Sequence, residues 1–138
     1  MTKVYVGLGS NLGTRSRNLS AARQRLRQKG LRILRQSRVI ETVPWGVKDQ
    51  PHFLNQVIEA DWSGTPRQLL SAAKQVEREG GRRPTARWGP RVIDVDILLF
   101  GDQKMQSRDL VIPHPRIAER PFVLRPLKEL GVSLDARS

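Results

Sequence analysis

The sequence predicts an α+β fold, an antiparallel sheet with helices on one face, and three observations carry that expectation. Residues alternate between two faces from Phe53 to Trp62 and again from Ile93 onward, where branched and apolar types mark a strand. Apolar residues recur at helical spacing as Leu19, Ala22 and Leu26, and as Leu69, Ala73 and Val76. Both helical stretches run into glycine, Gly30 in one case and Gly80-Gly81 in the other, where a helix ends.

Lys3 to Leu8 alternates through Val4, Val6 and Leu8 as a first strand and ends in the turn-rich GSNLG, which lacks the Gly-Lys-Ser/Thr ending of a Walker loop. After the first helix, Leu31 to Val43 is rich in apolar and β-branched residues and reads as a second strand or a bent pair of strands. PWGVKDQP is a loop. In Phe53 to Trp62, the residues Leu54, Ile58, Ala60 and Trp62 share the core face, and Phe53, Asn55, Val57 and Glu59 share the other. Thr65-Pro66-Arg67-Gln68 supplies a cap, a proline at the first helical position and a glutamine three after the cap, so the second helix opens there. A long basic loop then leads to the strand from Ile93, with Ile93, Val95, Ile97 and Leu99 in the core and Asp94, Asp96, Leu98 and Phe100 opposite. Gly101 to Met105 is expected to turn a hairpin, IPHPR to be extended, and Phe122 to Leu130 to form a short terminal helix. The succession β-α-β-β-α-β is the ferredoxin-like arrangement with a short C-terminal appendage, and it leaves the second face of the sheet free for ligands. No repeat or linker interrupts it, so one domain over residues 1–138 is expected.

Composition narrows the chemistry. Cysteine is absent and histidine occurs twice, which excludes disulfides, thiolate metal sites and thiol catalysis and makes covalent triads a poor fit. No apolar run reaches transmembrane length and MTKVYVGLGS runs straight into a strand, so a cytoplasmic address and no membrane partner are expected. The formal charge of +12 attracts polyanions, and a basic ferredoxin-like nucleic-acid-binding module is the alternative it raises. RNA readers of this architecture put stacking aromatics on their central strands, whereas the fourth strand here carries two aspartates. Nucleic acid is therefore not the expected partner.

Those aspartates are the centre of the reading. Asp94 and Asp96 lie side by side on the strand face opposite the core, roughly 6 to 7 Å apart at Cα. Two carboxylates so close repel each other and call for a compensating cation, for which magnesium is the natural candidate because it takes oxygen ligands and bridges carboxylates to phosphates. Paired acids also occur on solvated sheet faces, but here Arg82, Arg83, Arg87, Trp88 and Arg91 precede them around a Gly-Pro turn and bring phosphate-binding guanidinium groups close. On the third strand, Phe53 and Asn55 set an aromatic beside an amide on the less covered face, a pairing that suits a flat, hydrogen-bonding heterocycle.

ETVPWG, DQPHFLNQV, EREGGR, RWGPRVIDVDILLFG and IPHPRIAERPFVLRPL, taken together and in order, closely resemble the 6-hydroxymethyl-7,8-dihydropterin pyrophosphokinases of the folate pathway, from Val4 to about Leu130. The resemblance implies magnesium-dependent transfer of diphosphate from ATP, the co-substrate, to the pterin hydroxymethyl group, with AMP as the other product and two magnesium ions engaged. Carried over residue by residue, it makes Asp94 and Asp96 the magnesium ligands and Arg82 a loop arginine that meets the phosphates, with Arg83 beside it. Trp88 and Arg91 line the ATP site, His114 and Arg120 lie near the triphosphate, Ile97 and Val111 lie around the adenine, and Glu77 is a helix carboxylate near the nucleotide. Thr42, Phe53, Asn55 and Phe122 form the pterin pocket, with Trp45 where a loop folds over it. The catalytic group is then Arg82, Arg91, Asp94 and Asp96, the partners are the two small-molecule substrates, and the protein is expected to act as a monomer. Pro84 stands where the family commonly has a second loop arginine, so Arg82 and Arg83 both remain candidates for that role. Transfer of this kind depends on positioning and charge neutralisation more than on acid-base groups, which matches the residue inventory.

Overall fold

The computed structural model describes residues 1–42, 51–81, 92–115, 117 and 121–132, and of residues 121, 122 and 124 the backbone alone. In chain order the elements are β1 (Thr2–Ser10), α1 (Arg15–Gln28), β2 (Arg32–Gln36), β3 (Ile40–Thr42), β4 (Phe53–Trp62), α2 (Pro66–Glu79), β5 (Asp94–Phe100), β6 (Met105–Gln106), β7 (Val111–Ile112) and α3 (Pro121–Glu129). The main sheet runs β2-β4-β1-β5, with β3 following β2 along the same edge of β4, and every pairing is antiparallel. Leu31 to Val43 thus contains the bent pair of strands that its composition suggested. The first strand is longer than its alternation indicated, because Gly9 and Ser10 still pair with Asn55 and Leu54.

One face of the sheet carries the main core. Leu19, Ala22 and Leu26 of α1 and Leu69, Ala73 and Val76 of α2 are each at most 1% exposed and pack on Val4, Val6, Ile58, Val95 and Ile97. Burying one such leucine contributes about 1.5–3 kcal/mol. Thr65 and Gln68 make the full capping box, with Gln68 N–H donating to Thr65 Oγ1 at 3.1 Å and Thr65 N–H donating to Gln68 Oε1 at 2.8 Å. Gly30, at φ +105°, turns the chain out of α1.

Three expectations change in detail. Between Tyr5 and Val6 of β1 the partner on β5 steps from Leu99 to Ile97, so Leu98 is a bulged extra residue. Strand alternation reverses there: Phe100, expected beside the aspartates, is 1% exposed in the helix-side core, while Leu99, expected in that core, joins Leu98 on the opposite face. After the turn at Gly101, β6 does not fold back on β5 but pairs with β7, and Arg67 of α2 holds their connection through Asp109 at 3.0 Å and Ser107 at 3.0 Å. The second face is also not wholly open. Helix α3 and the residues around it seat Ile117, Val123, Leu127 and Leu130 on Tyr5, Val57, Leu98 and Leu99. Its C-terminal end is gripped from the β2–β3 edge, where Arg35 donates to the Leu130 carbonyl and Arg38 donates its backbone N–H to Glu129 at 2.9 Å. Cations at a helix C-terminus also interact favourably with its dipole.

Candidate active site

The half of the second face beyond α3 is built from four strands in register. Gly9 of β1 lies between Asp94 of β5 and Asn55 of β4, and Gly7 lies between Asp96 and Val57. Two inter-strand spacings put the backbones of Asp94 and Asn55 about 10 Å apart. Glycine weakens a strand interior and recurs where something must approach the backbone closely. Here it leaves the middle of the row without a side chain. A Cβ at Gly9 would stand 3.1 Å from Asn55 Oδ1 and 3.6 Å from the Phe53 ring, so both side chains lean over that gap.

On the far side of the gap, Thr42 pairs with Phe53 across the β3–β4 ladder. Asn55, only 7% exposed, donates from Nδ2 to Thr42 Oγ1 at 2.6 Å, which turns its Oδ1 toward Gly9. Phe53 is half-buried and shows part of its ring to the gap. Together they offer an apolar plane, an amide oxygen and a hydroxyl side by side on one sheet face, the mixture expected of a small-heterocycle site.

On the near side, Asp94 and Asp96 are both half-buried. Asp96 takes no side-chain hydrogen bond or ion pair from the described residues. The residue between the two, Val95, is tied from behind: its N–H donates to Glu77 Oε2 at 2.9 Å, and Glu77 is 3% exposed with Lys74 Nζ at 3.6 Å. Among the described residues β5 ends the main sheet, and the α2 carboxylate satisfies this outward N–H. Glu77 therefore braces the strand that carries the aspartates. His114 donates its backbone N–H to the Leu98 carbonyl at 3.0 Å, which brings β7, starting at Val111, and the segment after it beside β5.

Ile97 is placed differently from the other members of the expected nucleotide group. Its side chain is 4% exposed in the helix-side core, on the face away from the carboxylates. Trp45, Arg82, Arg83, Trp88, Arg91 and Arg120 lie outside the described residues, and Phe122 is described by its backbone in α3. Two components went unread in the sequence: the paired glycines, whose signal is Gly at alternate positions inside the strand pattern, and the contacts of Arg15 with Glu41 and His52.

A third carboxylate on this face, Glu59, is compensated by neighbouring cations and a hydroxyl. Glu59 is 3% exposed and accepts from Arg35 Nε at 2.5 Å and Tyr5 Oη at 2.7 Å, with Lys3 Nζ at 3.5 Å. The Arg35 hydrogen bond, aided by Tyr5 and Lys3, outweighs burial and holds its pKa down at about 2. The Asp94/Asp96 pair, beside bare backbone, fits a hard cation that keeps waters and phosphate oxygens in its shell. Among the described residues no group of three or more His, Asp or Glu side chains could hold a metal ion. Nor is any described helix long and apolar enough to cross a membrane.

The model of the 7,8-dihydro-6-hydroxymethylpterin-pyrophosphokinase family matches residues 5–132. The chain is 44% identical over 135 residues to the mitochondrial folate synthesis bifunctional protein of Pisum sativum, covering 97% of this chain and 26% of that protein. It is 43% identical over 127 residues to the 2-amino-4-hydroxy-6-hydroxymethyldihydropteridine pyrophosphokinase of Bacillus subtilis, covering 91% of this chain and 76% of that protein. It thus spans about a quarter of the length of the bifunctional relatives. A crystal structure of Plasmodium falciparum HPPK-DHPS superposes with a TM-score of 0.68 at 16% identity, over 94% of this chain and 40% of that one, and so shares the fold.

Proposed function

The chain belongs to the 7,8-dihydro-6-hydroxymethylpterin-pyrophosphokinase family, and from that premise we propose that it is a 2-amino-4-hydroxy-6-hydroxymethyldihydropteridine diphosphokinase. It transfers the diphosphate of ATP to the hydroxymethyl group of 6-hydroxymethyl-7,8-dihydropterin in folate biosynthesis and releases AMP. The observation that carries this reading is the row Asp94–Gly9–Asn55, which sets paired carboxylates on one side of a bare strand and an amide and an aromatic ring on the other.

In this reading Phe53 stacks on the pterin, while Asn55 and Thr42 hydrogen-bond its edge. Phe122 and Trp45 complete that pocket. Asp94 and Asp96 would hold magnesium, two ions by family likeness. Bound there, magnesium neutralises phosphate oxygens and helps align the transferring group. Arg82, Arg83, Arg91, His114 and Arg120 grip the triphosphate, with Trp88 and Val111 along the nucleotide and Ile97 contributing through its backbone. Glu77 acts as a brace for β5. The acceptor oxygen is thereby directed at the β-phosphorus, and most of the rate enhancement comes from that orientation and from charge neutralisation. The nucleic-acid-binding alternative is not favoured, since the open half of the sheet face carries two carboxylates where such a module needs stacking rings.

A monomer acting on these small molecules in the cytoplasm is the corresponding physiological proposal, although the Pisum sativum relative is named as mitochondrial. The test is to incubate the protein with ATP, magnesium and reduced hydroxymethylpterin and to separate the nucleotides by ion exchange. AMP should accumulate in step with a pterin diphosphate and require all three components. ADP as the product would mean attack at the γ-phosphorus, and AMP made without pterin would mean hydrolysis; either result overturns the proposal.

A further inference from the structure

We infer that Arg15 is a positioning residue for the pterin side of the site, clasping the end of β3 to the start of β4 so that Thr42, Phe53 and Asn55 are presented as one unit. The inference rests on the activity proposed above. Arg15 is the first residue of α1, and its Nη1 donates both to Glu41 Oε2 at 2.6 Å and to the His52 carbonyl at 2.8 Å. Glu41 immediately precedes Thr42, and His52 immediately precedes Phe53. The last rung of the β3–β4 ladder is Thr42–Phe53, so one guanidinium nitrogen joins the two strands at the rung that carries two pterin-side residues.

The arginine is itself well placed to act as an anchor. Asn18, one turn further along α1, donates from Nδ2 to Ser10 Oγ at 3.0 Å and to the Leu12 carbonyl at 2.8 Å, and its N–H donates to the Thr14 carbonyl at 3.0 Å. These bonds fix the β1–α1 turn from which Arg15 projects. The strand it secures needs support, because β3 is three residues long and, among the described residues, pairs with β4 alone. A strand that short has little hold of its own and opens locally unless a tertiary contact closes it.

An exposed ion pair adds little to global stability, and Glu41 is half exposed at its side chain. The effect of this one is therefore expected in geometry: without Arg15 the Thr42–Asn55 hydrogen bond loses its support and the ring of Phe53 loses its fixed distance from it. Lysine could reach one of the two acceptors as a point charge but cannot reproduce the planar guanidinium. The carboxylate half of the site lies across Gly9 and is untouched by the clasp.

The test compares wild type, Arg15→Gln, Arg15→Lys and Glu41→Gln by direct pterin binding, read from pterin fluorescence, and by steady-state kinetics for both substrates. Arg15→Gln should weaken pterin binding about fivefold, the upper range for a charge-assisted surface contact, with kcat, the KM for ATP and the melting temperature close to wild type. Arg15→Lys should recover part of the loss, and Glu41→Gln should lose less because the bond to His52 stays. Unchanged pterin affinity in Arg15→Gln overturns the clasp, as does a loss shared equally between pterin and ATP. Failure of the wild type to bind pterin at all would instead overturn the proposed activity, and it is seen before any variant is made.

Discussion

The two halves of the second sheet face are made of the same strands yet do opposite things. At one end Tyr5, Val57, Leu98 and Leu99 form an apolar bed, and α3 covers it with Val123 and Leu127, joined by Leu130 just past the helix end. At the other end the same strands carry Gly7, Gly9, Asn55, Asp94 and Asp96, which offer a helix nothing to bury. The difference is one of side-chain size and charge at successive positions of a strand, and it fixes where a ligand can reach the backbone. A carboxylate within the covered region is also treated differently: Glu59 is compensated by Arg35, Tyr5 and Lys3, whereas Asp96 takes no such partner from the described residues.

The sharpest way to break this contrast is to remove charge from the open half. Asp94→Ala and Asp96→Ala should each lower turnover by about a thousandfold, or about 4 kcal/mol in the barrier, because metal ligation is lost. The urea midpoint of Asp96→Ala should be unchanged or higher, since one of two repelling carboxylates is gone. Near-normal AMP formation by either variant at limiting magnesium would remove that residue from the metal site.

The complementary change in the covered half should hit stability instead. Leu127, on the sheet-facing side of α3, is 1% exposed, and Leu127→Ala should cost about 2–5 kcal/mol in a urea unfolding experiment. Activity per folded molecule should stay near wild type, and a selective loss of pterin affinity at intact stability would show that the two halves are not separable.

Smaller effects test the far wall of the gap. Phe53→Ala should weaken apparent pterin affinity by about 1–3 kcal/mol, the usual range for a ring stacked on an aromatic side chain, with ATP affinity little changed. Gly9→Ala should move the same constant in the same direction, since the new Cβ would press on Asn55 Oδ1 at 3.1 Å. Equal loss of both substrates' affinity in these variants would place the residues outside the pterin site.

The last prediction concerns acid stability. Because the folded pKa of Glu59 is depressed from 4.5 to about 2, its contribution is fully present above pH 4.5 and drains away as pH falls toward 2. The gap in urea midpoint between wild type and Glu59→Gln should therefore be constant above pH 5 and close over that interval. A gap that stays open down to pH 2 would mean that the carboxylate's charge is not what holds this corner.

Much of the molecule is legible in neighbouring residues. The capping box at Thr65 and Gln68, the stripe Leu69, Ala73 and Val76, the two faces of Phe53–Trp62 and the pairing of Asp94 with Asp96 on one face all follow from contacts within a turn of helix or two strand residues. Such features survive in the sequence because the chain itself sets the distances between those residues. What depended on tertiary structure involves residues brought together from far apart. The bulge at Leu98 reverses the faces of Leu99 and Phe100 because β5 must match β1. Helix α3 takes the far half of the second face because that is where the apolar bed lies. The alignment of Gly9 between Asp94 and Asn55, and the grip of Arg15 on Glu41 and His52, exist only once four strands are in register. Alternation says which residues share a face, but only cross-strand hydrogen bonding decides which of them meet.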